Sequence, residues 1–137
     1  MKHHELLSIA FQLEMYENNT DVLLIGDELT KSGADSLTDA GFWIWNINSN
    51  VEYYSPNFRG VLGFEGESDF PSVSQSWQNN ITNDGLKTAI SNFKKAIETD
   101  NKHPYSQNVV YRKKNGGYIF LSCDGIVLNN LKNGLSC

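Results

Sequence analysis

His103, Asp124, Tyr54 and Tyr111 are the side chains best suited to proton transfer in the part of the chain that reads as folded. Catalysis needs such groups held against one another, and nothing in their spacing brings these together. The chain is therefore expected not to be an enzyme, and Asp124 reads equally as a strand-end residue bonding to backbone. A small cone-shaped α+β isomerase is the alternative fold that would carry such a set. Metal chemistry has less to work with. Cys123 and Cys137 are the only cysteines and lack ligand spacing, so they read as free thiols in a reducing compartment. His3 and His4 are adjacent, and neighbouring positions on a helix do not face each other. Gly60, Gly63 and Gly66 are separated by helix and loop residues and form no phosphate-cradling loop.

The elements that must position any site follow from periodicity. Gly41 to Phe64 reads as strand, turn, strand and short helix. Phe42, Ile44 and Asn46 share one face, and Trp43, Trp45 and Ile47 the other, because strand side chains alternate. Asn48, Ser49 and Asn50 supply the turn. Ser55 caps a helix with Pro56 at its first position, and Gly63 ends it. Thr82, Asn83 and Asp84 cap a long helix over Asp84 to Thr99, whose Leu86, Ala89, Ile90, Phe93, Ala96 and Ile97 form one apolar face. Two strands around Asn115-Gly116 then make a hairpin. Upstream, Met1 to Glu17 reads as a helix, Val22 to Ile25 as a short strand, and Asp27 to Ser36 as a polar connection or a turn of helix. Asp35 or Ser36 is placed to cap such a turn, with Leu37 packing inward.

This order resembles the PAS family, in the bacterial subgroup whose first strand carries a Trp-x-Trp pair, here Trp43 and Trp45. The Trp77 segment before the long helix, the helix itself, and VYRKKNGGYIFLSCDGIVL from Val110 match in sequence; the resemblance spans about Leu37 to Leu128. It implies an α+β fold: a PAS-like antiparallel sheet with helices on one face, plus an N-terminal helical arm. Residues 1–36 would be a helix and connector serving as cap or dimerisation arm, and 37–137 the sensor domain. Asn46 replaces the family's usual Asp, Thr82-Asn83-Asp84 its His-Pro-Asp run, and Phe120 its Trp. Val110 stands where an Arg is common, which puts in doubt any ion pair the family makes there.

The family's fifth strand lies between its first and fourth, yet Leu131 to Cys137 leaves little chain for it. The chain would then be a fragment of a longer receptor, or a partner would donate a strand, or Val22–Ile25 would occupy the vacant slot, since an unpaired gap leaves backbone donors unsatisfied.

The resemblance implies a sensory or regulatory domain in bacterial signal transduction. It would bind a small molecule or relay a conformational change to an output domain such as a histidine kinase or diguanylate cyclase. The alternative is a ligand-free dimerisation module. A cavity would be lined from the helices by Phe58, Leu62, Trp77, Ile81, Ile90 and Phe93. From the sheet it would take Phe42, Ile44, Tyr105, Gln107, Val109, Phe120 and Ser122. A fully packed core stands beside that reading. A homodimer would use Leu6, Ile9, Leu13 and Tyr16, unless that stripe covers its own sheet. Haem is disfavoured, because relatives that bind it carry a histidine inside the long helix and His103 lies beyond it. A covalent flavin photocycle is excluded, because Gly66 to Asn79 holds no cysteine. Non-covalent flavin or a small metabolite stays open. A net charge of −5 and a pI near 5.1 give no footprint for nucleic acid. No run approaches membrane-spanning length, and a cytoplasmic location is expected.

Overall fold

Hairpin chemistry sets the frame. The computed structural model describes residues 3–18, 20–32 and 36–129. Helix α1 (His3–Gln12) leads into β1 (Val22–Ser32), β2 (Ser36–Asn46) and β3 (Val51–Tyr54). Helices α2 (Pro56–Leu62), α3 (Gln75–Gln78) and α4 (Asn83–Glu98) follow, then β4 (Tyr105–Arg112) and β5 (Tyr118–Asn129). The strands form one antiparallel sheet in the order β3-β2-β1-β5-β4.

Local signals explain the small elements. The Ser55 hydroxyl accepts from Phe58 N at 3.2 Å and from Phe42 N at 2.9 Å, so one cap joins α2 to β2. Gly41 makes that junction tight: its φ is +97°, and a β-carbon there would collide with the Phe58 backbone. Gly63, at φ +89°, closes α2 by bonding back to Gly60 and placing Phe64 N on Arg59 O. Thr82 caps α4 by accepting from Gly85 N at 3.2 Å.

Upstream of β2 the structure corrects the sequence reading. The expected Met1–Glu17 helix ends at Gln12. Glu14 takes φ +54° and Met15 N bonds Ala10 O at 2.9 Å, a left-handed stop that Asn18 to Thr20 did not reveal. The expected polar connection from Asp27 is strand as far as Ser32, and Ser36 to Ala40 is strand rather than a capped turn of helix. Asp35, the Leu37 side chain, the side chains of His3 and His4, and the whole of Leu131 to Cys137 lie outside the described residues.

Strand β1 lies between β2 and β5, pairing Leu24 with Trp45 on one side and with Val127 on the other. Of the three ways to fill the vacant slot, the structure takes the one that uses Val22–Ile25. The expected boundary after residue 36 therefore divides β1 from β2, two strands paired in one sheet.

The sheet separates two cores. Leu6 and Ala10 of α1 bury Leu23, Ile25 and Ile44 on the outer face. The inner face carries Leu24, Trp43, Tyr105, Val109, Leu121 and Cys123 against α2, α3 and α4. Between α2 and α4 the chain straps across this face. Val73 bridges to Val51 on the β3 edge and Ile81 to Tyr111 on the β4 edge, so both outer strands find partners.

Candidate functional site

Under the strap lies an enclosed aromatic space. Trp77 meets Trp45 edge-on with ring centres 6.1 Å apart, and Phe93 of α4 lies 6.0 Å from each. Phe93 stacks on Tyr105 at 4.1 Å. These contacts wall a cavity of about 10 Å³, whose remaining lining is Trp43, Glu52, Tyr54, Phe58, Tyr111 and Cys123. That volume is about one water molecule.

Strand alternation aims the polar groups. In the β2–β3 ladder Trp45 faces Glu52 and Trp43 faces Tyr54, so both β3 side chains turn inward with the tryptophans. Trp43 in turn lies on Gly26, where a β-carbon would sit 2.7 Å from Trp43 Cε2. Glu28, two residues further along β1, faces the same interior opposite Cys123.

Glu28 and Glu52 are essentially inaccessible. Among the described residues, no donor meets either Glu28 oxygen or Glu52 Oε1 in good hydrogen-bond geometry, although Cys123 and Tyr111 approach Glu28 as donors, and Trp77 and Tyr54 approach Glu52. Desolvation pushes Glu28 up to about 8, although the neighbouring Cys123 and Tyr111 favour its charged form. Glu52 is raised well above the carboxylate range, mainly by burial, against the opposing influence of Trp77 and Tyr54. Burial first, then the nearby carboxyls, raises the Tyr111 phenol and the Cys123 thiol. Burial thus favours the neutral form of both acids, and Cys123 is a buried thiol shifted away from the thiolate. Tyr54 is anchored by donating to Val73 O at 2.7 Å, and Tyr105 by donating to Gln107 Oε1 at 2.8 Å.

Of the side chains expected to line a cavity, Phe58, Trp77, Phe93 and Tyr105 do so. Leu62, Ile81 and Val109 are buried in the surrounding core, and Gln107 spends its amide on Gly85 O at 3.1 Å. The others are corrected. Phe42 and Ile44 lie on the outer face in the α1 cluster. Phe120 is 74% exposed, and its neighbour two positions on, Ser122, shares that outward parity. Ile90 is 45% exposed on the rim of an open groove beside α4. The reason is register: Arg112 pairs with Tyr118 at the hairpin, so Tyr105, Gln107 and Val109 share their face with Gly125, Cys123 and Leu121. The stripe expected to dimerise covers its own sheet instead: Leu6 is fully buried there, Ile9 and Tyr16 are partly buried beside it, and only Leu13 stays exposed.

The proton-transfer candidates do not converge. His103 and Asp124 are exposed, whereas Tyr54 and Tyr111 are buried inside. The groups that do converge, Glu28 and Glu52, were passed over. The legible signal was Glu52, which shares parity with Tyr54 and sits opposite the Trp-x-Trp pair.

A family model described as PAS fold matches residues 51–137, more than half of the chain. The chain belongs to the PAS family. No curated protein and no solved structure matches it. The five-stranded antiparallel sheet with its helices is a PAS-like α+β fold, and in general terms the PAS domain is sensory or regulatory. No helix among the described residues is long and apolar enough to cross a membrane, and no group of three or more His, Cys, Asp or Glu among them is placed to hold a metal ion.

Proposed function

We propose that this PAS domain senses a small molecule in the cavity beneath Trp77 and passes its occupancy to an output domain of a bacterial signalling protein, such as a histidine kinase or a diguanylate cyclase. The domain is non-catalytic in this reading, acts in the cytoplasm and works as a homodimer. One observation carries it. Glu52, buried with its Oε1 unpartnered, lines the enclosed aromatic space, a costly arrangement that a ligand would relieve. The scattering of His103, Asp124, Tyr54 and Tyr111 supports the non-catalytic part. The strap offers a route for the signal, since it touches the cavity through Trp77 and both sheet edges through Val73 and Ile81. At about 10 Å³ the space holds neither a flavin nor a metabolite of several heavy atoms as it stands, so either would enter only by displacing wall residues such as Trp77 or Phe93.

Native mass spectrometry and a thermal-shift panel of small metabolites on the full chain test this reading. Added mass, or a raised melting temperature that Phe93→Ala abolishes, is the expected result. A chain that gains neither from any compound contradicts it.

A second reading is a ligand-free module that pairs with a second copy of itself. It is favoured by Tyr118 and Phe120, which stand exposed on the outer face of β5, a position an interface would cover. Sedimentation equilibrium would then show a dimer that Phe120→Ser dissociates.

A further inference from the structure

We propose that the chain beyond β5, residues 130–137, docks into the open apolar groove between α4 and strands β1 and β2, with Leu131 and Leu135 as its anchors. Such docking is independent of whether the enclosed cavity takes a ligand.

The groove needs a cover. Leu24, Trp45 and Ile47 form its sheet wall, and Ile90, Phe93 and Ile97 its helix wall, around about 290 Å³ of open space. Ile90 belongs to the amphipathic stripe of α4 yet is 45% exposed on this rim. Apolar walls left to water are costly, and aliphatic side chains laid between them are stabilised.

The path of β5 leads to the groove. Its last residue, Asn129, pairs with Val22, whose carbonyl accepts from Ile47 N at 3.1 Å. On the other side of β5, Asn101 brackets Val127, donating to its carbonyl and accepting from its N–H, both at 2.7 Å. The chain therefore leaves the sheet between the start of β1 and the residues that follow α4. These are the elements that bound the groove at its Ile47 and Ile97 end. Paired strands lie about 4.8 Å apart, so β2 is roughly 10 Å from β5 across β1. The 8 residues from 130 to 137 reach up to about 26 Å when extended.

The chemistry of the segment matches its berth. Leu131 and Leu135 are its only large aliphatic residues, and Lys132 carries its only formal side-chain charge. Glu98 stands on the groove rim beside the negative end of the α4 dipole, a favourable place for a lysine. Lys94 competes weakly for Glu98, across 3.9 Å between two exposed side chains. A second copy fits less well. Its most exposed large apolar side chains, Tyr118 and Phe120, stand on the outer face of the sheet, and packing that face into this groove would make a head-to-tail contact that does not close. Trp45 and Phe93 wall both the groove and the enclosed cavity, so the docked segment lies against the back of the same two rings.

The test uses the terminal thiol of the full chain. Cys123 is buried, so a thiol-reactive nitroxide labels Cys137 selectively, and amide spectra of the ¹⁵N-labelled chain show where the label lies. Amides of Ile90, Lys94 and Ile97 are expected to lose their signals, those of Phe120 and Ser122 far less, with recovery when ascorbate quenches the nitroxide. Replacing both anchors, Leu131→Asp with Leu135→Asp, should abolish the loss on α4 while the circular dichroism spectrum holds. Ile90→Asp, at an exposed groove position, tests the same contact from the other side should the double variant fail to fold. Unaffected α4 amides, broadening centred on the outer face, or an undiminished loss in the folded variants overturns the inference. So does broadening of ¹⁵N-labelled chain by an equal amount of nitroxide-labelled chain lacking the isotope, which would put the segment on a second copy.

Discussion

Each face of the sheet buries polar groups, and the two faces treat them in opposite ways. On the α1 side, Asn46 Nδ2 donates to Met15 O and to Asp21 Oδ2, both at 2.8 Å. Its Oδ1 accepts from Asn48 N at 3.0 Å and Ser49 N at 3.2 Å. Asp21 Oδ2 also accepts from Glu17 N at 2.9 Å and Asn18 N at 3.0 Å. The bond from Asn46, reinforced by these backbone donors, holds Asp21 below the usual carboxylate range. On the helix side, Glu28 and Glu52 are buried just as deeply with acceptors unmet. A saturated polar cluster adds specificity and stability, whereas a starved one costs stability in the isolated fold. The contrast marks the first as a hydrogen-bonded joint and the second as carboxyls held mainly by burial among aromatic rings.

The largest test of that contrast is pH. Folded Glu28 keeps its proton to about pH 8, while the unfolded side chain releases it near 4.5. Between those values the folded state binds more protons, so stability falls as pH rises, by on the order of 4 kcal/mol. Urea unfolding at pH 5, 6.5 and 8 should show this decline, and Glu28→Gln should flatten it. A wild-type curve that is level or rising across the window would mean the carboxyls are partnered after all.

Next comes the outer node. Asp21→Ala strips acceptors from Asn46 and two backbone amides and should cost about 2 to 3 kcal/mol at neutral pH. Glu52→Gln at pH 8 should cost nothing or stabilise, and the opposite ranking in denaturant midpoints would erase the distinction between the faces. A smaller effect is expected at Gly26→Ala, where the new methyl drives Trp43 from its seat. About 1 to 3 kcal/mol of destabilisation, with a shift in tryptophan emission, would sharpen the assignment of Trp43 to the cavity wall. The smallest belongs to Phe120→Ser, an exposed site on β5. The monomer's stability should stay within about 0.5 kcal/mol, and a larger loss would mean the outer face is covered.

The same two faces separate what was legible from what was not. Alternation in β2 sorted Phe42 and Ile44 from Trp43 and Trp45 correctly, but both sets are apolar, and the pattern alone could not say which looked at α4. Counting the register of the Asn115-Gly116 hairpin would have put Leu121 and Cys123, rather than Phe120 and Ser122, beside Tyr105 and Val109. The stop at Glu14 was hidden because a left-handed glutamate carries no compositional mark, unlike Gly63.

From residue types and spacing alone came the β2–β3 hairpin, the Ser55 and Thr82 caps, the amphipathic α4 and the resemblance that the family match bears out. These are short-range matters, settled by backbone preference, side-chain reach within a turn, and hydrophobic period. Tertiary packing decided the rest. It inserted β1 between β2 and β5, laid α1 over Ile44 rather than over a partner, and drew Glu28 and Glu52 inside together. Glu28 and Glu52 lie on strands separated by β2 and were joined only by the pairing of the sheet. Burial depends on which face a whole sheet turns inward, and no local pattern encodes that choice when both faces are apolar.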